Sequence, residues 1–297
     1  MLQIALPVAL PSVPLYQVLA PPLVTLDTHD HNGLDELIGN LEAICARASH
    51  TLLVVPSWLD LATRTRLRTA RRLLRTAPLS LVELHVPPLA LSVLARQLTV
   101  LSEAVAEPSR LASATPLLAR EMVIGACLSS VSDYPHGSVP LHAHLSSHLP
   151  WTAFIALLGP AGGVSRTNAW RPPASTAMRR TRLLHGKPGT KTTAWARAAV
   201  AVRLGACAAE EVPAAPQAAA WWGARQVVEF VAALEDPQEL LNAVLAAPAH
   251  PCRWCGATVI GSACPFCSAT AGPAAPPPPR PTRRGLGLIS RTARGAA

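Results

Sequence analysis

Two Cys-x-x-Cys pairs near the carboxyl end of the chain restrict its possible folds more than any other feature of the sequence. Cys252 and Cys255 form the first pair, and Cys264 and Cys267 form the second. Four thiolates spaced in this way can occupy the corners of a tetrahedron, which is the coordination that zinc prefers. Gly256 directly follows the first pair, where a tight turn around the sulfurs needs a positive φ. The sequence therefore predicts a four-sulfur metal site.

The stretch between the two pairs predicts a minimal hairpin, because Thr258-Val259-Ile260 is strand-like and Gly261-Ser262 is typical of a turn. With these features, residues 250–270 resemble the short zinc-ribbon family, with the four cysteines on the ligand positions. The resemblance implies one structural Zn²⁺ ion, since about twenty residues cannot bury a core without a metal. The alternative is a pair of redox dithiols or disulfides, but neither pair is followed by the helical pattern of a redox motif.

The remaining cysteines and the apolar segments indicate the compartment. Cys45, Cys127 and Cys207 stand singly in apolar runs, which is typical of buried free thiols in a reducing environment. Residues 1–10 lack the basic segment of a signal peptide. The longest uncharged run, residues 149–164, is interrupted by glycine and proline and does not predict a membrane span. We expect a cytoplasmic protein.

Strand and helix patterns alternate through the first part of the chain. Strand-like runs at 2–9, 22–26, 51–55 and 79–86 are followed by helical patterns at 34–45, 59–74 and 90–106. Ser57-Trp58-Leu59-Asp60 reads as a capping box that opens the second of these helices. Such alternation is typical of βαβ units around a parallel sheet. We therefore predict an α/β domain at residues 1–130.

Beyond this domain the strand signal disappears. We predict a mainly α-helical region, then a small zinc knuckle, with Asp236-Pro237-Gln238-Glu239 as a strong helix start. Proline and arginine dominate the last segment, which cannot bury enough apolar surface to fold. The predicted segments are a His-rich linker at 131–149, a basic helical region at 150–248, a four-cysteine zinc ribbon at 249–270 and a disordered tail at 271–297.

Charge is unevenly distributed along the chain. The formal net charge is +9, and no acidic residue lies between Asp133 and Glu210. Residues 174–204 have helix-turn-helix proportions, which favours a nucleic-acid-binding protein and DNA in particular, acting in regulation or replicon maintenance. The predicted phosphate contacts are the basic residues Arg179, Arg180, Arg182, Lys187, Lys191 and Arg197.

Two other functions stay open at this point. One is a protein–protein adaptor that docks through the zinc knuckle or the tail. The other is a metal-dependent hydrolase, because Asp27-x-His29-x-His31 is similar to the first metal motif of amidohydrolase-type TIM barrels, a resemblance that implies metal ligation by His29 and His31. We expect a binding protein rather than an enzyme and assign no catalytic residue. We find no Walker A or dinucleotide motif.

Overall fold

Four parallel strands form the first sheet of this computed structural model. The structure describes residues 2–16, 23–28, 33–74, 78–147, 149, 152–159, 162–170, 180–187 and 200–270. The strand order is β2-β1-β3-β4. The strands are β1 (Leu2–Leu6), β2 (Val24–Thr25), β3 (His50–Pro56) and β4 (Leu79–Leu84). The predicted parallel α/β arrangement is confirmed.

Helices cover both faces of this sheet. They are α1 (Leu34–Cys45), α2 (Leu61–Leu73), α3 (Pro88–Ala104) and α4 (Pro108–Arg120). Along β3, Leu53 and Val55 pack with α1 and α2, whereas Leu52 and Val54 pack with α3 and α4. Every residue of β3 is buried, because a central parallel strand is covered on both sides. Asp60, rather than Ser57, caps α2 by accepting a hydrogen bond from the N–H of Thr63 at 2.8 Å.

Six strands form a second sheet in the order β7-β6-β5-β10-β8-β9, antiparallel except for the parallel β8–β9 pair. The strands are β5 (Val123–Leu128), β6 (Phe154–Leu157), β7 (Gly163–Arg166), β8 (Thr181–Gly186), β9 (Ala208–Val212) and β10 (Val227–Leu234). The mainly α-helical region predicted at 150–248 is thus not confirmed. The domain limits that we placed along the chain stay predictions.

Three helices with both ends described lie in this part of the chain: α5 (Leu141–Ser146), α6 (Ala218–Trp222) and α7 (Pro237–Ala246). Residues 200–204 are helical as well. The predicted start of α7 is confirmed, since the Asp236 carboxylate accepts a hydrogen bond from the N–H of Gln238 at 2.8 Å. None of the described helices is long and apolar enough to cross a bilayer.

One layer of helices joins the two sheets. Leu91 and Leu98 of α3 belong to the same buried cluster as Leu52 of the first sheet, Val231 of the second and Leu240 of α7. Helices α3, α4 and α7 therefore lie between the sheets and share their core with both.

Arg110 of α4 ties α7 into this layer. Its guanidinium donates hydrogen bonds to the carbonyl oxygens of Val244 at 3.1 Å, Leu245 at 2.6 Å and Ala247 at 3.1 Å. These carbonyls belong to the last turn of α7, where backbone acceptors lack helical partners. We expect Arg110→Ala to lower the free energy of unfolding by about 2 kcal/mol, because charge-assisted hydrogen bonds are lost. Urea denaturation measures the change. The exposed Arg120→Ala is the matched control, and equal stabilities of the two variants would contradict the role given to Arg110.

A small hairpin closes the described chain. Strands β11 (Ala249–Pro251) and β12 (Thr258–Ile260) are antiparallel, so the hairpin turns through the first cysteine pair and not at Gly261-Ser262, where the sequence predicted the turn. The hairpin and the loop after it lie against the edge of the first sheet. The N–H of Leu81 in β4 donates to the Pro265 carbonyl at 3.0 Å, and the Ser113 hydroxyl of α4 donates to the Thr258 carbonyl at 3.0 Å.

Candidate functional site

The four cysteines of residues 249–270 form one cluster. Their sulfur atoms all lie within 4.8 Å of one another. The Cys252 and Cys267 sulfurs are 3.5 Å apart, as are those of Cys255 and Cys264. A Zn–S bond of about 2.3 Å in a tetrahedral site separates the sulfurs by about 3.8 Å. Both the all-sulfur donor set and the spacing fit a zinc ion.

The two pairs form matching turns. The N–H of Gly256 donates to the Cys252 carbonyl at 2.9 Å, and the N–H of Ser268 donates to the Cys264 carbonyl at 3.0 Å. Gly256 has a φ of +74° and Ser268 a φ of +57°, so both turns use a left-handed residue after the second cysteine. The positive φ predicted for Gly256 is confirmed.

The pKa values of the thiols differ within the cluster. The backbone N–H of Cys255 lowers the pKa of the Cys252 thiol to about 6, whereas burial raises the pKa of the Cys264 thiol to about 12. A metal displaces such protons because cysteine binds it as a thiolate. Arg71 of α2 lies near the sulfurs and would offset the negative charge of four thiolates; burial lowers its pKa, while the field of the neighbouring cysteines acts in the opposite direction.

A second group of polar side chains lies at the carboxyl edge of the parallel sheet. Ser57 directly follows β3 and His85 directly follows β4. The Ser57 hydroxyl and His85 Nδ1 are 2.7 Å apart and form a hydrogen bond. The N–H of Ser57 also donates to the Leu84 carbonyl at 2.8 Å, which fixes the turn after β3. Ligands of open α/β sheets bind at this edge.

Aromatic rings from the second half of the chain lie against His85. Its ring centroid is 4.6 Å from that of Trp221 and 5.3 Å from that of His136. His136 stacks on Trp221 at 4.4 Å, and its Nε2 hydrogen-bonds the Trp221 carbonyl oxygen at 2.7 Å. Burial lowers the pKa of both His85 and His136 below 6.5, so both imidazoles are mainly neutral at pH 7. We call Ser57, His85, His136 and Trp221 the edge site.

Gly223 allows Trp221 and His136 to pack against each other. It ends α6 with a φ of +64°, and a Cβ atom there would lie 2.1 Å from the Asp133 carbonyl oxygen. The close contact brings α6, which carries Trp221, against the loop that carries His136. Trp221 is 6% exposed, and its indole Nε1 has no hydrogen-bond partner among the residues that the structure describes. A buried donor of this kind is costly without an acceptor.

Glu229 of β10 is a buried carboxyl group behind the edge site. It is 4% exposed, and its oxygens accept hydrogen bonds from Trp222 Nε1 at 2.9 Å and from the N–H of Leu89 at 3.3 Å. Burial raises its pKa to about 7. Glu229 therefore links the second sheet to the first turn of α3.

A cavity of about 540 Å³ with both polar and apolar walls lies at the same edge of the parallel sheet, beyond β1 and β2. Its polar side chains are Ser12, Thr25, and Ser92 and Arg96 of α3. The Arg96 guanidinium donates to the carbonyl oxygens of Leu15 at 3.0 Å and Tyr16 at 2.8 Å, which holds the loop over the cavity. The apolar wall consists of Leu6, Val8, Leu10, Pro11, Val13, Pro14 and Leu23.

Three of the six basic residues predicted to contact phosphates, Arg180, Arg182 and Lys187, lie in the described part of the chain. Arg182 lies in strand β8 and is 3.3 Å from the Glu210 carboxylate and 3.4 Å from that of Glu235. Arg180 is 3.2 Å from Glu235, and Lys187 is exposed just after β8. Arg179, Lys191, Arg197, His29 and His31 lie outside the described residues.

Solved structures show the fold. No protein-family model matches the chain, and no curated protein matches it. A DegV-family protein from Corynebacterium glutamicum is similar with a TM-score of 0.51 and 12% identity, over 79% of this chain and 97% of that one. A fatty-acid-binding DegV-family protein from Thermus thermophilus is similar with a TM-score of 0.51 and 14% identity, over 68% of this chain and 77% of that one. The chain thus has a DegV-like fold.

These findings correct the functional predictions. The nucleic-acid-binding, DNA-binding and helix-turn-helix predictions are wrong, because residues 181–186 form a sheet strand whose Arg182 is ion-paired, in a fold that the Thermus protein uses to bind fatty acid. Two sheets of four and six strands also replace the TIM barrel on which the hydrolase alternative depended. The adaptor alternative gains no support from the similar structures.

Sequence reasoning missed the edge site. It interpreted Ser57 as part of a capping box, placed His136 in the His-rich linker and Trp221 in the basic helical region, and gave no role to His85. The available signal was a polar side chain directly after each of two buried strands, at the edge where ligands of such sheets bind.

Proposed function

We propose that the protein binds a long-chain fatty acid or a closely related apolar carboxylate. The observation that carries the proposal is a cavity of about 540 Å³ with one apolar wall, at the same sheet edge as a hydrogen-bonded Ser57–His85 pair, in a fold that a fatty-acid-binding protein shares. Burial of each methylene group contributes about 0.8 kcal/mol, so the acyl chain supplies most of the affinity.

The polar end of the ligand has partners at the same edge. The strands β1, β3 and β4 are neighbours and parallel, so their carboxyl ends lie at the same edge of the sheet. The cavity next to β1 and the Ser57–His85 pair after β3 and β4 therefore lie at that edge. One proton of the neutral Ser57–His85 pair lies in the hydrogen bond between them, and the other, on His85 Nε2 or on the Ser57 hydroxyl, can be donated to a carboxylate oxygen. Arg96 supplies positive charge at the cavity wall.

We also propose that Cys252, Cys255, Cys264 and Cys267 hold one structural Zn²⁺ ion. The compact cluster of four sulfurs supports this assignment. In this role zinc fixes the hairpin β11–β12 against β4 and α4 and takes no part in ligand binding.

Titration of the delipidated protein with oleate tests the lipid proposal. We expect saturable binding by calorimetry, and we expect Val8→Trp to weaken it at least tenfold, because the indole fills part of the cavity that Val8 lines. Val202→Trp is the matched control, since Val202 is 80% exposed and lies outside the cavity lining. Absence of saturable oleate binding, or equal affinity of the two variants, would contradict the proposal.

A further inference from the structure

We propose that Ser57 and His85 act as a nucleophile and general base, and that the protein slowly hydrolyses long-chain acyl esters at the edge site. The pair is joined by a hydrogen bond of 2.7 Å between the Ser57 hydroxyl and His85 Nδ1. A serine within hydrogen-bond reach of a histidine is the arrangement that activates a hydroxyl for attack on a carbonyl. The placement of the acyl chain in the cavity rests on the proposed function.

The position of Ser57 suits a nucleophile. It lies on the turn between β3 and α2, at the carboxyl edge of a parallel sheet, where a side chain projects from the end of a strand. Serine nucleophiles of α/β enzymes also occupy a turn between strand and helix. The hydrogen bonds from the N–H of Ser57 to Leu84 and from the N–H of Leu59 to Pro56 hold this turn in place.

His85 can serve as the base. When the Ser57 hydroxyl donates the hydrogen bond, His85 Nδ1 accepts it. The single proton of the neutral ring then lies on Nε2. The rings of Trp221 and His136 lie against the imidazole and limit its rotation. The neutral form of His85 that prevails at pH 7 is the form that can accept the serine proton.

Trp221 packs against the proposed base. Its ring centroid lies 4.6 Å from that of His85, and its indole N–H is closed to solvent and has no partner among the described residues. The ring therefore positions the imidazole, and we assign no group to the oxyanion.

The reaction balances as an ordinary ester hydrolysis. The Ser57 oxygen loses its proton to His85 Nδ1 and forms a bond to the acyl carbon, while the bond from that carbon to the alcohol oxygen breaks and the alcohol takes the proton from His85. Water then gives a proton to His85, its oxygen attacks the acyl-serine carbon, and the proton returns to Ser57 as the fatty acid leaves. The products are one alcohol and one fatty acid, which is the class of ligand proposed above.

Hydrolysis of p-nitrophenyl laurate by the full chain tests the inference. We expect turnover that oleate inhibits competitively, together with covalent labelling of Ser57 by an alkyl fluorophosphonate, located by peptide mass spectrometry. Ser57→Ala should abolish labelling and lower the rate at least a hundredfold, and His85→Gln should lower both. Ser109→Ala is the matched control, because Ser109 lies on α4 away from the edge site.

The outcomes separate this inference from the proposed function. Oleate binding without turnover and without labelling would overturn the hydrolysis and leave the lipid binding in place. Turnover that persists in Ser57→Ala would also overturn it. Turnover with labelling at Ser57 but no binding or inhibition by oleate would support the hydrolysis and contradict the proposed fatty-acid binding. Circular dichroism of Ser57→Ala checks that the variant is folded. If the folded variant is still labelled at other residues, that labelling does not support the inference.

Discussion

Cys252→Ser releases the zinc ion and lowers the free energy of unfolding by more than about 4 kcal/mol, if the four sulfurs hold a structural metal. The size of the effect follows from the small hairpin, which buries few apolar residues of its own, namely Cys252, Val259 and Cys264. Loss of the hairpin also removes the Leu81–Pro265 and Ser113–Thr258 hydrogen bonds. Elemental analysis by mass spectrometry and guanidinium denaturation measure the two changes.

Cys207→Ser is the matched control for this experiment. Cys207 is exposed, and its thiol lies 3.0 Å from the Glu235 carboxylate, outside the cluster. The control should keep about one zinc ion per chain and near-normal stability. A Cys252→Ser variant with full zinc content and unchanged stability would contradict the structural metal site.

Glu229→Gln changes how stability depends on pH. Burial raises the pKa of Glu229 from 4.5 to about 7, so the folded state binds this proton more tightly than the unfolded state does. Its contribution to stability is complete below pH 4.5 and is lost as pH rises through about 7. The shift corresponds to about 3 kcal/mol, and glutamine does not ionise. We therefore expect the free energy of unfolding of Glu229→Gln, relative to the unsubstituted protein, to rise by about 2.5 kcal/mol between pH 5 and pH 9, because part of the contribution is already lost at pH 5.

Urea denaturation at the two pH values measures this change. Glu103→Gln is the matched control, since Glu103 is exposed on α3. Its stability should follow that of the unsubstituted protein at both pH values. The role of Glu229 would be refuted by a constant difference between Glu229→Gln and the unsubstituted protein from pH 5 to pH 9.

The parallel sheet could be predicted because its strands and helices differ clearly in sequence. The run from Thr51 to Val55 is short, β-branched and ended by proline, and the helices on either side show an apolar face. The second sheet gave no such signal. Residues of β10 from Val228 to Leu234 are all buried, Glu229 included, because both faces of that strand are covered. A short, mainly apolar run without alternation cannot be distinguished from a buried helix.

The two candidate sites also differ in how well the sequence predicts them. The cysteine cluster could be predicted because its four ligands lie within one short segment, whose spacing is visible in the sequence. Ser57, His85, His136 and Trp221 come from separate segments, and only the packing of the second half of the chain against the sheet edge brings them together. The prediction of phosphate contacts from the distribution of charge failed for a related reason. Arg182 is ion-paired with Glu210 and Glu235, which are distant in sequence but lie beside neighbouring strands.

The position of the hairpin has a consequence for biosynthesis. Strand β4 leaves the ribosome long before Pro265, the residue whose carbonyl accepts the hydrogen bond from Leu81 at the sheet edge. During that interval the nascent chain presents an open strand edge, which other chains can pair with. The last step that protects this edge would be metal capture by the hairpin. Zinc supply during translation would then affect the yield of native protein, and chelation at that stage should increase the insoluble fraction.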